Sequence, residues 1–238
     1  MPIIQFLQHL QKNKRYSAHT IKAYESDLIQ LNDYLKEQYE LKLEDANSSS
    51  LISWIVAMLE SGMVSKTINR KISSVKSFYK YLQKIKMIEV NPLAIHKALK
   101  TPKKVQVPFS KKEVEMVLSE IKLDDSFESI RDKLMIEFFY STGMRRAELI
   151  NLKYKSLDIQ NKTIKVLGKR NKERLVPLLP SIIDTLKLYL LKRDSIITNY
   201  DFLFLTKKGN KTYETLVYRV INNYFSKVSS KLKKSPHI

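Results

Sequence analysis

A scarcity of helix-breaking residues is the feature that most restricts the fold of this 238-residue chain. It contains only four glycines and seven prolines, the residue types that most often interrupt helices. Apolar residues recur at spacings of three and four through residues 17–38, 51–59 and 65–82, with a shorter piece at 3–11. This is the period of an amphipathic helix. The sequence therefore predicts that residues 1–100 form a small bundle of helices.

Serines mark the expected starts of these helices. Ser17 precedes the first long stripe as a cap, a run of serines at 48–50 offers a cap for the second, and Ser65 opens the third. Such a side chain accepts a hydrogen bond from a backbone N–H two or three residues further on. Gly62 is the expected end of the second long helix.

The remainder of the chain mixes helical and strand patterns. Residues 101–110 contain two prolines and a lysine pair, and we interpret them as a linker, with an ordinary loop inside one domain as the alternative. In the following domain, 111–238, the predicted helices and strands are 126–142, 163–167, 175–178, 181–195 and 212–229, with a short strand or buried turn at 202–205. The predicted fold class is mainly α with a small β-hairpin or sheet, in two domains.

Composition excludes several classes of protein. The absence of cysteine excludes disulfides, zinc–thiolate sites, iron–sulfur clusters and thiol catalysis. No metal-ligand spacing joins the four histidines, which are His9, His19, His96 and His237. No apolar run is long enough to span a bilayer, and residues 1–12 lack the pattern of a signal peptide. We expect a cytoplasmic protein that needs no cofactor.

The net charge of +19 favours a polyanionic partner, nucleic acid first, with a ribosomal or membrane-surface role as alternatives. Residues 61–88 contain no acid, and their cations are Lys66, Arg70, Lys71, Lys76, Lys80, Lys84 and Lys86. A charged run is usually a solvated face. However, like charges on one helix face repel, and phosphates relieve that repulsion. We therefore predict contact with DNA or RNA here.

Two further segments concentrate positive charge. GKRNKER, residues 168–174, joins the predicted strands; it either aids solubility or delivers a lysine to a phosphate. STGMRRAELINL, residues 141–152, places Arg145 and Arg146 between one helix end and the next helix start. That position suits an anion, but a structural pair with Glu148 is an equal alternative.

Several motifs resemble those of the tyrosine recombinases, the phage-integrase-like site-specific recombinases, and they follow one another along the chain in the same order as in that family. TGMRRAEL (142–149) resembles the box TG-[LM]-R-x-x-E-L, and Arg131-Asp132 opens the preceding helix as in that family. VLGKRNKERLVPL (166–178) is similar to the family's β-hairpin, and SPHI (235–238) to the start of SPHxLRH. SAHTIKAYESDL and SKTINRKISSVKSFYKYL resemble the SAM-like core-binding domain of the Xer branch. The resemblance implies that domain at 1–100 and an α+β catalytic domain at 111–238.

The resemblance also implies roles for individual residues. Arg145 matches the arginine that binds the scissile phosphate, and Lys169 the hairpin lysine that protonates the leaving 5′ oxygen. His237 matches the first residue of the His-x-x-Arg box, and Glu148 would orient the site. The predicted DNA-binding residues are Lys66, Arg70, Lys71, Lys76, Lys80, Lys84, Arg146, Lys172 and Arg174. The resemblance implies a reaction that forms a 3′-phosphotyrosine without a metal.

The sequence departs from the family at its last residue. Ile238 falls inside the SPHxLRH motif, before the second arginine, the following His/Trp position and the tyrosine nucleophile. None of the 13 tyrosines lies in a matching context. We therefore expect a C-terminally truncated catalytic domain, in a chain that binds DNA without cleaving it.

The sequence is compatible with three interpretations of function. The first is an Xer-type recombinase that resolves chromosome dimers, or, as a close alternative, the integrase of a mobile element. The second is a non-catalytic DNA-binding regulator that keeps the fold, and the third is a basic structural or ribosome-associated protein. The expected partners are duplex DNA with an inverted repeat and other protomers in a tetrameric synapse. A DNA translocase is a further candidate.

Overall fold

The chain divides into two compact units, Met1–Lys104 and Val105–Ile238. The structure is a computed structural model that describes residues 2–102, 107–121, 125–168 and 172–228. None of the helices within these ranges is long and apolar enough to cross a membrane.

Helices make up most of the first unit. They are α1 (Pro2–Lys12), α2 (Ala18–Tyr39), α3 (Ser48–Glu60) and α4 (Ser65–Lys84), with one 3₁₀ turn at Leu43–Asp45. The Ser17 hydroxyl accepts a hydrogen bond from the Thr20 N–H at the start of α2, as predicted. The expected cap of α3 was wrong: Asn47 occupies that position, and its Oδ1 accepts from the Ser50 N–H at 2.9 Å. Ser50 accepts a bond from the Asn47 N–H, so the serine run supplies the third helical residue of a capping box.

The apolar stripes predicted from the sequence meet in one core. It is formed by residues from all four helices, among them Phe6, Leu10, Leu28, Leu31, Leu35, Trp54, Ile55, Met58, Ile68, Ile72, Val75, Tyr79 and Leu82. Removing this apolar surface from water is the main force that holds the helices together. The helical bundle predicted for the first hundred residues is therefore confirmed.

After α4 the chain returns along the same helix instead of leaving it. Leu93 is buried in the core. The Asn69 side chain accepts from the Leu99 N–H at 2.9 Å and donates to the Leu99 carbonyl at 2.8 Å. The Lys76 ammonium donates to the His96 carbonyl at 2.8 Å. The segment just before the linker is therefore hydrogen-bonded to α4 at two points.

The second unit combines helices with a small antiparallel sheet. Its helices are α5 (Lys111–Glu120), α6 (Phe127–Thr142), α7 (Arg146–Ile150), α8 (Pro180–Asp194) and α9 (Glu214–Val228). Its strands are β1 (Leu157–Asp158), β2 (Thr163–Leu167) and β3 (Glu173–Pro177), paired in that order. The predicted hairpin is present as β2 and β3, with Val166 opposite Arg174. β1 escaped prediction because two residues carry no alternating pattern.

The segment predicted as a short strand or buried turn, residues 202–205, lies inside this unit. Leu203, Phe204 and Leu205 are fully buried. The Tyr189 hydroxyl of α8 donates to the Leu203 carbonyl and accepts from the Leu205 N–H, at 2.9 and 3.1 Å. Burial raises the pKa of this tyrosine to about 12. The segment pairs through single bridges at its two ends, so it acts as a buried turn.

Candidate active site and nucleic-acid interface

A sharp turn between α6 and α7 presents Arg145. Gly143 follows α6 in the left-handed conformation, with φ of 58°, which is favourable chiefly for glycine. Arg145 is then extended and immediately precedes α7. Its side chain is 67% exposed. The end of α6 at Gly143 is confirmed, and the turn directs this guanidinium towards solvent at a helix start.

Glu148 is the buried centre of this junction. Its side chain is only 6% exposed. Oε2 accepts from the Arg145 backbone N–H at 2.9 Å, and Oε1 accepts from Arg145 Nη1 at 3.0 Å. Arg174, from β3, donates Nη1 to Oε1 at 3.0 Å and Nη2 to Oε2 at 2.8 Å. The carboxylate therefore connects the start of α7 to the hairpin.

These contacts keep Glu148 ionised. The hydrogen bonds from Arg174 are the largest influence, and together with those from Arg145 they outweigh burial and lower the pKa of the carboxyl to about 2. A carboxylate paired in this way holds both guanidinium groups in fixed positions. Of the two interpretations of Arg145 from the sequence, the pair with Glu148 is present, and binding of an anion stays a prediction. Arg145 pairs with Glu148 through Nη1, while most of its side chain remains accessible to an anion.

Gly168 brings the beginning of the hairpin turn against this cluster. Its N–H donates to the Lys172 carbonyl at 2.8 Å. A β-carbon at this position would lie 3.3 Å from Arg174 Nη1 and 3.5 Å from Glu148 Oε1. The absence of a side chain therefore allows the chain to pass close to the ion pair just before Lys169. Lys169 itself and His237 lie outside the described residues.

The other predicted cations of the second unit have different surroundings. Arg174, predicted to bind the DNA backbone, is directed onto Glu148 and keeps 39% of its side chain exposed. Arg146 Nη2 contacts Glu214 Oε2 at 2.6 Å. Lys172 is exposed. Arg174 therefore holds Glu148 in place through two hydrogen bonds.

A single line of exposed cations runs along α4. At 3.6 residues per turn, Lys66, Arg70, Lys80 and Lys84 lie within about 40° of one line, and all four are exposed. We call these four residues the α4 stripe. Lys76 lies off this line and contacts the His96 carbonyl instead. Lys76 is therefore a predicted DNA-binding residue whose ammonium makes a contact with the backbone.

A buried acid from α2 lies beside this stripe. Asp27 is 1% exposed and accepts from Arg70 Nη1 and Nη2 at 2.7 and 2.8 Å. It also accepts from Lys71 Nζ at 3.0 Å and Ser74 Oγ at 2.6 Å. Burial alone would raise the pKa of Asp27, but these hydrogen bonds prevail and lower it. Sequence reasoning missed this pair; the available signal was an aspartate next to Leu28 on the apolar face of α2.

A second feature missing from the sequence prediction is a pair of lysines around Phe202. Lys153 Nζ lies 3.7 Å and Lys211 Nζ 4.2 Å from the ring centroid. Such cation–π contacts fix ammonium groups on an apolar support. Lys211 also donates to Asn151 Oδ1 at 2.6 Å, directly after α7. Positive charge therefore extends beyond the arginine junction to the end of that helix.

Two family models match the chain. The phage integrase family covers residues 109–238, which is more than half of the sequence. The N-terminal SAM-like domain of phage integrases covers residues 3–86. This chain belongs to the phage integrase family. The resemblance inferred from the motifs is confirmed, and so is the fold class.

Curated relatives narrow the family to tyrosine recombinases. The chain is 34% identical to tyrosine recombinase XerC of Natranaerobius thermophilus over 99% of its own length and 81% of the relative's. It is 30% identical to tyrosine recombinase XerC of Staphylococcus epidermidis, covering 98% of this chain and 78% of that one. The chain therefore belongs to a family of site-specific recombinases. The predicted enzyme family is confirmed.

Solved structures share the fold. The Tn1549 transposon integrase in complex with transposon right end DNA matches 100% of this chain and 83% of that one, at 21% identity and a TM-score of 0.77. The XerH site-specific recombinase bound to palindromic difH substrate matches 99% and 70%, at 21% identity and a TM-score of 0.75. At these identities the likeness concerns the fold.

Proposed function

We propose that this protein is an Xer-type site-specific recombinase that acts in the cytoplasm on duplex DNA carrying an inverted repeat. The observation that carries the proposal is an exposed Arg145 held by the ionised, buried Glu148. Relatives that are 30–34% identical over nearly the whole chain are XerC recombinases. Resolution of chromosome dimers before cell division is the role that these relatives favour.

Arg145 would bind the scissile phosphate. A guanidinium has five N–H donors in a planar array, and the bond to Glu148 uses Nη1. The remaining donors suit two phosphate oxygens, because guanidinium groups bind phosphates in bidentate fashion. In a phosphorane transition state the negative charge on these oxygens increases. A guanidinium already held in place stabilises that charge without reorganising.

The other groups act on the bonds that change. In the family's reaction a tyrosine oxygen attacks phosphorus, a 3′-phosphotyrosine bond forms, and the bond to the 5′ oxygen breaks. We assign Lys169 to protonate that leaving oxygen and His237 to stabilise the phosphorane. The covalent intermediate conserves the bond energy, so a hydroxyl of the partner strand can restore the phosphodiester without ATP.

The DNA backbone would contact both units. The α4 stripe contributes four exposed cations from the first unit, and Lys172 and Arg146 contribute from the second. Neutralising phosphates releases condensed counterions, so binding should weaken steeply as salt increases. The proposed protein partners are further protomers on adjacent half-sites, with a DNA translocase as a regulator of the assembled complex.

Selection from genomic DNA tests this proposal. Fragments retained by the 238-residue protein are sequenced and compared with those retained by a Lys66→Ala, Lys80→Ala, Lys84→Ala variant. We expect enrichment of one inverted-repeat site per chromosome and its loss in the triple variant. A matched control is Lys22→Ala, Lys36→Ala, Lys42→Ala, which removes three exposed lysines of the first unit outside α4. Retention of all fragments alike would contradict site-specific binding.

The same selection separates the two recombinase roles. A chromosome-dimer recombinase should enrich a site in the host chromosome away from mobile elements. An integrase should enrich the ends of a mobile element and its target. The fold shared with the Tn1549 integrase is the reason for testing the integrase role. Sequence identity to the XerC relatives favours the role of a chromosome-dimer recombinase.

A further inference from the structure

The surroundings of Asp27 fully satisfy a buried carboxylate. Its two oxygens accept four hydrogen bonds, from both Nη atoms of Arg70, from Lys71 Nζ and from Ser74 Oγ. Ser74 is itself completely buried. Burying a charge is unfavourable unless it is paired and hydrogen-bonded, and this carboxylate meets both conditions. The three charged groups together carry one net positive charge.

That remaining charge is exposed at Arg70. Lys71 is only 12% exposed and also donates to Gln30 Oε1 at 2.7 Å, so its charge faces inward. Arg70 is 49% exposed. It meets Asp27 through one N–H of each Nη atom, which leaves three of its five donors for other contacts. The cluster therefore presents an oriented guanidinium, and not a diffuse patch of charge.

We propose that Asp27 is a positioning residue for DNA binding, which holds the Arg70 guanidinium on the α4 stripe so that its remaining donors meet a backbone phosphate. This inference rests on the proposed function as a DNA-binding recombinase. Long side chains lose conformational entropy when they bind. Arg70 has already lost that freedom in the protein, so its contact with a phosphate should be stronger than that of a lysine at the same position.

Substitution of Asp27 tests whether this residue positions Arg70 or only contributes its charge. The two possibilities predict changes of opposite sign in the affinity for DNA. Asp27→Asn removes a negative charge beside the stripe, so long-range electrostatics alone predicts tighter binding of DNA. The proposal predicts weaker binding, because Arg70 loses its bidentate partner. Glu25→Gln is the matched control. It removes one negative charge from an exposed position of the same helix, two residues away, and should leave binding unchanged or slightly tighter.

The experiment measures the dissociation constant of the full chain for a short duplex carrying the selected inverted repeat, across a series of salt concentrations. Arg70→Ala should weaken binding about tenfold, the equivalent of one charge-assisted hydrogen bond. It should also reduce the magnitude of the salt slope by about 0.9, which is the value of one phosphate contact. Asp27→Asn should weaken binding about threefold at constant fold, as checked by circular dichroism.

A double variant shows whether Asp27 acts through Arg70. In the Arg70→Ala background, Asp27→Asn should cause no further loss of affinity, because its target is absent. An equal loss in both backgrounds would indicate a purely structural role and overturn the proposal. So would binding by Asp27→Asn that is as tight as that of Glu25→Gln. If Asp27→Asn does not fold, Arg70→Lys replaces it in the test.

Arg70→Lys keeps the charge but cannot make the bidentate contact with Asp27. We expect several-fold weaker binding with the salt slope retained. Unchanged affinity would overturn the proposal. Failure of the proposed function itself is visible separately, because the unaltered chain would then show no preference for the inverted repeat over an unrelated duplex of equal length.

Discussion

The two units use the same device in different ways. In each, a nearly inaccessible carboxylate receives four hydrogen bonds and holds an arginine that remains exposed. Around Glu148 the donors are two arginines and a backbone N–H, and the carboxylate starts a helix. Around Asp27 the donors are side chains of one neighbouring helix. The first cluster joins a helix to a hairpin, and the second joins two helices of a bundle.

Both clusters present a few cations of a basic protein at defined positions. A lysine on a solvated surface samples many conformers, whereas an arginine paired with a buried acid keeps one. In both clusters the acid removes one positive charge and orients another. The surface charge that remains is therefore lower than the composition suggests, but its geometry is more defined.

Loss of Glu148 should produce the largest effect. Glu148→Gln leaves two arginines without their carboxylate, and breaking a buried pair costs about 3 kcal/mol of folding free energy. Chemical denaturation followed by far-ultraviolet circular dichroism measures this loss. Glu214→Gln is the control, because it breaks the exposed contact with Arg146 and should cost less than about 1 kcal/mol. Equal losses of stability in the two variants would show that Glu148 does not hold the site together.

Loss of the Asp27 carboxylate should have a smaller effect that is confined to the first unit. The asparagine side chain in Asp27→Asn keeps one acceptor for Ser74 or Lys71, so we expect the substitution to cost about 2 kcal/mol. Trp54 is the single tryptophan of the chain and is buried in the first unit. Its fluorescence should report this loss and stay unchanged in Glu148→Gln. A shift of the Trp54 transition in both variants would show that the units unfold together.

The smallest effect, taken over one pH unit, is a dependence of stability on acidity. The pKa of Glu148 is lowered from 4.5 to about 2 in the folded protein. The stability it contributes is complete above pH 4.5 and declines as the pH falls towards 2, by at most about 1.4 kcal/mol per pH unit. Urea denaturation at several acidities should show a shallower decline between pH 4.5 and 2 in Glu148→Gln than in the unaltered chain. Parallel declines would contradict the lowered pKa.

Local sequence pattern was sufficient to predict most of the fold and one of the two carboxylate clusters, the one around Glu148. The apolar spacing of α2 and α4 predicted both helices, because 3.6-residue periodicity places those side chains on one face. Gly143 marked the end of α6 for an equally local reason, its left-handed backbone. Arg145 and Glu148 are three residues apart, so their contact was among the alternatives that the motif allowed.

Local sequence pattern could not predict contacts between residues that lie far apart in the sequence. Asp27 is separated from Arg70 by 43 positions, and a charge count over residues 61–88 cannot include an acid that arrives from another helix. Lys76 was predicted to bind DNA because it lies in the same acid-free segment as the stripe. Its partner is a carbonyl from a segment that turns back after α4, and nothing in the local sequence encodes that return.

The two hydrogen bonds between Asn69 and Leu99 have a mechanical consequence. Asn69 lies directly before Arg70 on α4, and Leu99 lies shortly before the predicted linker. A pull on the chain beyond residue 99 would therefore load these two hydrogen bonds first, and through them the first half of α4. Tension from that side would therefore reach the helix that carries the α4 stripe.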